Sequence, residues 1–369
     1  MDHPDYNEKK RLRSYYARLS LMMIAFLAFF NLFSTIAEYL CSAYIGGGFD
    51  KETVDAGRTV FYSDPRLNVL SSYAFPMVGE ILAIIIGMAI TGYDPFKKLR
   101  FSGFDGKDLI RDGALTFGVS GLGAVVGVLV LAAVTAISSV FGGFLPKMDP
   151  DVLEKAVTGN RPLWIQVIVF LDTCILGPVV EELLFRGVLL QGLRKYGNAF
   201  GIIFSSILFG LCHQNLGQCF SAMAFGLCAA VIAVKTDSLM PGIILHVMNN
   251  TFSSVLLASM ELVDITQLTD LYRNMLQDPS KLTEYAAELN RLIGQFVPVI
   301  VSSSVMGLFR MACLLFTLAT GYKFYIKKKG RVFASSAYSK SRTWGLVFTS
   351  IPWLCILAFL IIVTFSHTF

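Results

Sequence analysis

Nine predominantly apolar runs, separated by shorter polar stretches, organise the chain. They fall near 19–40, 70–92, 114–140, 163–190, 199–213, 218–234, 239–258, 297–322 and 344–366. A bilayer core is crossed by a helix of about 20 apolar residues, and a helix satisfies its own N–H and C=O groups where no water can. The pattern therefore predicts an all-α polytopic transmembrane bundle of about eight to nine helices, with the fifth and sixth short. The longest polar interval, 259–296, repeats Leu282, Tyr285, Ala286, Leu289, Leu292 and Ile293 at helical spacing between Glu284, Glu288, Asn290 and Arg291. That spacing predicts an amphipathic helix on the outer surface or over the bundle.

Composition agrees with a membrane protein. The 369 residues are 54% hydrophobic and 15% charged, against about 25% charged in soluble proteins. Basic residues accumulate in cytoplasmic loops. With the N-terminus inside, the inner segments hold 21 of the 31 Lys and Arg, the outer segments hold 9, and Arg310 lies within a span. The split predicts N-in and C-out. The first apolar run follows a charged head and is expected to act as a signal anchor. Lys327–Lys329 and Arg331 are expected at the anionic inner leaflet, and Gly118, Gly121, Gly123 and Gly127 should allow close helix packing. Seven cysteines without a CxxC pair indicate neither a disulfide framework nor a thiolate metal site. The charge of +5 is mostly this inside bias, so no nucleic-acid partner is expected. The expected organisation is membrane helices one to three with a basic head over 1–162, a core over 163–258, the outer loop 259–296, and two last helices over 297–369.

Polar residues inside the apolar runs carry the candidate chemistry. Glu181 and Glu182 adjoin within one run, with Arg186 one turn on. A carboxylate at bilayer depth costs about 2.5–3.5 kcal/mol on insertion scales and marks a candidate functional site. Glu182 and Arg186 are i,i+4 and can pair. Glu181 points about 100° away, which leaves it as the free carboxylate suited to general-base work. His246 and Asn250 are also i,i+4, so both can aim at one point and donate to an oxyanion. His213, from a neighbouring run, could orient or share a water with Glu181. Counting rise along the helices places this cluster in the inner half of the membrane, reached from the cytoplasm. Each residue has a plainer reading: Glu181, Glu182 and Arg186 as an ion-pair knot, and the histidines as helix–helix hydrogen bonders.

Glu181-Glu182-x-x-x-Arg186, Phe209-x-x-x-His213 and His246-x-x-x-Asn250, in this order on successive apolar runs, resemble the CPBP family of CAAX-protease and bacteriocin-processing (Abi) intramembrane proteases. The likeness covers roughly 163–258. It implies an all-helical core with a cavity open to the cytoplasm and intramembrane cleavage of a membrane-associated, lipidated or peptide substrate. It also implies that Glu181 is the base activating water, that His213 is its water-positioning partner, and that His246 and Asn250 form the oxyanion pair. Glu182 and Arg186 are then supporting residues, and no cofactor is required.

Three other readings compete. Glu181, His213 and His246 are residue types that suit zinc, although no His-Glu-x-x-His helix is present. A non-catalytic immunity or assembly factor could keep the same bundle. A transporter could use the further membrane-depth charges Glu38, Glu80, Asp172 and Arg310, but no repeat or broken-helix pair supports it. Structural pairing of Glu80 with Arg310 is the simplest expectation for those two. Membrane lipid and a membrane-associated peptide or protein are the expected partners, with a monomer as default. General character suggests a bacterial plasma membrane.

Overall fold

The computed structural model describes residues 6–64, 66–67, 75–140, 162–260, 263, 265–278, 281–332 and 350–366. Helix α1 (Tyr6–Leu27) runs through a π-helical segment, Ala28–Phe33, into α2 (Ser34–Gly46), and α3 (Lys51–Ser63) packs back on α2. Then come α4 (Phe75–Thr91) and the long α5 (Gly106–Val140). A broken helix follows: α6 (Leu163–Leu171), a π segment (Asp172–Leu176), α7 (Gly177–Glu182), a second π segment (Leu183–Leu189) and α8 (Leu190–Leu193). The remainder is α9 (Asn198–Cys212), α10 (Leu216–Thr236), α11 (Met240–Met260), α12 (Ile265–Gln277), α13 (Leu282–Gln295), α14 (Val297–Val332) and α15 (Ile351–Ser366).

Every described apolar run is helical. Six helical stretches are long and apolar enough to cross a bilayer: Arg13–Gly46, Gly106–Val140, Leu163–Leu193, Leu216–Thr236, Met240–Met260 and Tyr285–Thr320. Three shorter apolar helices, Pro76–Thr91, Asn198–Cys212 and Ile351–Ser366, occupy the other expected positions. The fifth run is short, as expected, whereas the sixth is a full 21 residues. The chain is an integral membrane protein. Its outer surface reflects this: Val125, Val128 and Leu129 of α5 and Ile300, Val305 and Leu308 of α14 face outward, where lipid rather than water meets them. The starts of the second and ninth expected spans, and the side chains of Lys327–Arg331, lie outside what is described.

Interval 259–296 holds two helices rather than one. α13 matches the expected amphipathic helix and buries Leu292, while α12, which was not expected although its apolar residues also recur at helical spacing, buries Leu271. They pack on each other, and Arg291 reaches Gln267 across the pair.

The buried core is one cluster running from α1 to α15. In α1, Tyr16, Leu19, Met22, Met23 and Phe26 form a single buried stripe, the i, i+3, i+4, i+7 face of an amphipathic helix. Trp353 of α15 is fully buried and donates its indole N–H to the Tyr16 carbonyl at 3.2 Å. The last helix is thereby tied to the first.

Ion pairs close the end of the bundle where α5 begins and α10 ends. Lys235 Nζ lies 2.9 Å from Oδ2 of the buried Asp112. Asp237 adopts the left-handed conformation (φ 52°), which Asp tolerates better than most residues. It accepts from Lys98 Nζ at 2.6 Å and pairs with Arg100. Burial pushes the Asp237 carboxyl up, but the Lys98 hydrogen bond and the charges of Lys98 and Arg100 outweigh it and hold the group below its ordinary value. The stabilisation this confers is present above the usual Asp value of about 3.9 and is lost as pH falls through the lower folded value. Asp237→Asn should therefore lower the melting temperature of the detergent-solubilised protein near neutral pH, with the gap to wild type closing below about pH 4. A gap that stays constant across that range would show that the Asp237 charge is not the stabilising feature.

Candidate active site

The site begins with a break in hydrogen bonding. Gly177 N–H bonds to the Asp172 carbonyl, five residues back, as a π-helix requires. In that register the Thr173 carbonyl should take the N–H of residue 178, but Pro178 has none. Asn250 of α11 fills the gap, donating Nδ2–H to Thr173 O at 2.9 Å. Cys174 Sγ and Ser254 Oγ, 3.1 Å apart, make a second link between the same two elements. A second π segment, Leu183–Leu189, starts directly after Glu182. The two glutamates thus sit on a short α-helical turn between two widened stretches.

Glu182 and Arg186 form the expected pair, with Arg186 Nη1 2.9 Å from Glu182 Oε1 and both side chains 1% exposed. The contact is close but not aligned as a hydrogen bond, and neither terminal nitrogen of Arg186 has a hydrogen-bond partner among the described residues. Phe209 offers its ring face instead, 4.1 Å from the guanidinium carbon, a cation–π contact that gains strength away from water. Two glycines leave room for the pair. A Cβ on Gly226 would stand 3.1 Å from Arg186 Nη2, and one on Gly242 would stand 3.1 Å from Glu182 Oε2.

His246 joins the two glutamates. Its Nδ1 lies 3.1 Å from Glu182 Oε1 and its Nε2 3.6 Å from Glu181 Oε2. A carboxylate oxygen accepts, which assigns the Nδ1 proton to the Glu182 side. Glu181 Oε2 itself has no hydrogen-bond partner among the described residues. His213 Nδ1 is committed to the Phe209 carbonyl at 2.9 Å, which in a neutral ring leaves Nε2 as an acceptor. Phe209 packs edge-on against both rings, 4.9 Å from His213 and 5.7 Å from His246.

Glu181, His213, His246 and Asn250 all line one cavity of about 640 Å³, within the range of ligand-binding clefts. Glu182 and Arg186 lie buried behind its wall. Sequence spacing is correct for the Glu182–Arg186 pair and for the separation of Glu181. It misassigns part of His246, whose closer partner is Glu182, and of Asn250, one of whose two amide protons is held by Thr173. Among the described residues no three His, Cys, Asp or Glu side chains are grouped so as to hold a metal ion.

Three more membrane-depth charges enter the cavity wall: Glu80 of α4, Asp172 and Arg310 of α14. Glu80 and Arg310 do not pair as expected. Arg310 donates to Asn249 Oδ1 at 3.4 Å, and Glu80 instead shares its field with Glu181 and Asp172. Glu38 is elsewhere, bonded to Arg58 at 2.8 Å between α2 and α3. Phe209 is the residue to which sequence reasoning gave no role; its i,i+4 spacing to His213 was the available signal.

The cavity is walled by the first residues of α4 (Pro76, Met77) and of α10 (Gly217, Gln218) and by the last of α11 (Leu257, Met260). Those helix ends lie on the side of the α12–α13 connection, opposite the Lys98, Arg100, Lys235 and Asp237 links. The lining thus reaches toward the end of the bundle opposite those basic links. Counting rise along helices gives the depth of a side chain but not the side on which the void opens.

Residues 162–252 match a family model described as type II CAAX prenyl endopeptidase Rce1-like. The matched segment is similar to the CAAX-protease family. It contains all six motif residues of the site and excludes α1–α5 and α12–α15. The match spans about a quarter of the chain and makes that segment similar to a protease family. Searches of curated proteins and of solved structures found no match.

Two measurements test this geometry. Asn250→Ala should cost about 1–3 kcal/mol, the usual cost of orphaning a buried acceptor, and clearly less in a Pro178→Ala background, where the N–H is restored. Equal cost in both backgrounds would refute the link. In intact cells, with the native cysteines removed, Gln218→Cys should react with a membrane-impermeant maleimide, and Lys97→Cys should react only after permeabilisation. The reverse pattern would place the cavity toward the cytoplasm and discard the orientation read from charge.

Proposed function

We propose that the chain is a glutamate-dependent intramembrane endopeptidase that cleaves a membrane-associated or lipidated peptide. One observation carries this reading: Glu181 presents a buried carboxylate oxygen without a hydrogen-bond partner to a cavity it shares with His213 and His246. In the proposed reaction a cavity water lies between Glu181 and His213 Nε2. Glu181 takes one proton from it as the oxygen attacks the scissile carbonyl carbon. With its Nδ1–H held by Glu182, His246 acts as the imidazolium and donates Nε2–H to the resulting oxyanion, beside the remaining amide proton of Asn250. Glu181 then passes its proton to the leaving nitrogen, the C–N bond breaks, and a carboxylate and an amine result. Glu182, Arg186 and Phe209 hold the His246 ring in place.

Three outcomes are expected for purified protein and a CAAX-type prenylated peptide. Glu181→Gln should abolish hydrolysis while leaving the melting temperature close to wild type. Glu182→Gln should lose activity and about 3–5 kcal/mol of stability, because it leaves Arg186 buried without its counter-charge. Cleavage should persist in chelator. Hydrolysis by Glu181→Gln at the wild-type rate would end the proposal, and loss of cleavage on chelation with recovery on added zinc would replace it with a metalloprotease.

A further inference from the structure

The mechanism leaves one half-buried cation of the cavity wall unused. Among the described residues lining the cavity, Arg310 is the single Lys or Arg. Its stem passes over α5 where Gly121 has no side chain: a Cβ there would lie 3.1 Å from Arg310 Cβ and 3.2 Å from its Cδ. Its head reaches the cavity beside Asn249, whose Oδ1 accepts from Nη2 at 3.4 Å. Asn249 is itself oriented by donating Nδ2–H to Asn250 Oδ1 at 3.4 Å. Arg310 Nε is buried with no hydrogen-bond partner, and no ion pair joins this guanidinium to a carboxylate among the described residues.

A guanidinium at bilayer depth without a counter-ion is expensive and marks a ligand path more often than a structural post. Its planar fork matches a carboxylate or phosphate group. The three carboxylates of the cavity, Glu80, Asp172 and Glu181, leave it unneutralised, so the anion it is shaped for comes from outside the chain. Of the groups a peptide carries, the C-terminal carboxylate is the one anion present whatever the sequence.

We propose that Arg310 binds the C-terminal carboxylate of a peptide lying in the cavity and so fixes how far from the chain end the cleaved bond falls. This rests on the peptidase reading and makes Arg310 a specificity-determining residue. A lipid headgroup phosphate offers the same chemistry, and the test separates the two sources.

The test reads binding, so it does not depend on turnover. A fluorescent farnesylated CAAX peptide with a free C-terminal carboxylate, and its C-terminal amide, are titrated onto Glu181→Gln protein in neutral detergent. The same titrations are made with Arg310→Gln and Arg310→Lys added. The acid should bind about tenfold or more tighter than the amide, the advantage expected of a hydrogen bond to a charged group. Arg310→Gln should bring the ratio near one by weakening the acid alone, and Arg310→Lys should restore part of it. Equal binding of acid and amide, binding of neither, or equal loss of both in Arg310→Gln would overturn the proposal. Saturable binding of phosphatidylglycerol that requires Arg310, with no acid–amide difference, would assign the residue to lipid phosphate instead. Failure of wild type to cleave would count against the peptidase reading, and the acid–amide ratio would still decide the role of Arg310.

Discussion

The rest of the site depends on one buried contact, the ion pair of Glu182 with Arg186. Both side chains are sealed from solvent, in surroundings where either charge alone would be costly. The helices around them are shaped to that pair. α10 and α11 approach with Gly226 and Gly242, the residues that intrude least, and α9 contributes the Phe209 ring. Once Glu182 is held, its second contact fixes the His246 ring, and the far nitrogen of that ring is turned toward Glu181. A charge pair that contributes little net stability can still specify one arrangement of four helices, because any other arrangement strands a charge in an apolar interior.

Around that pair, the irregularity of the helix that carries it matters as much as its sequence. A regular α-helix over 163–193 would give each carbonyl an N–H from its own chain. Pro178 removes one, the backbone widens, and Thr173 turns its carbonyl to another helix. The cross-link with α11 that results is the one that places His246 and Asn250 beside the glutamates. Sequence therefore acts here through a missing donor rather than through an added contact.

The helices, the Glu182–Arg186 pair and the separation of Glu181 were legible because each follows from a local period: apolar runs, i,i+4 spacing, 100° per residue. Helix α12 was legible by the same rule, since Ile265, Leu268, Leu271, Tyr272 and Met275 recur at helical spacing, and it was passed over beside the run that starts at Leu282. The partners of Glu80 and Arg310 were not legible, since opposite charges at similar depth suggest a pair, whereas the fold places the two on the wall of a shared void. Asn250 was read for the donor it carries, and part of that donor is consumed by a backbone vacancy visible only when Pro178 and a π register are considered together. The direction of the cavity depends on which helix ends diverge, a property of packing that no single segment encodes.

Helix α9 spans only Asn198–Cys212, 15 residues. At 1.5 Å per residue that is about 22 Å, against a hydrocarbon core of about 30 Å. The turn that follows, His213 to Asn215, leads into α10, which Asn215 caps by accepting from Gln218 N–H, and α10 has at 21 residues the full span that α9 lacks. Such hydrophobic mismatch is relieved by thinning of the adjacent bilayer. Thinning beside α9 would bring the headgroup layer nearer His213 and shorten the distance a water travels through an apolar medium. The surrounding lipid would then be a working part of the site, and a thicker membrane would ration the water that the proposed hydrolysis consumes.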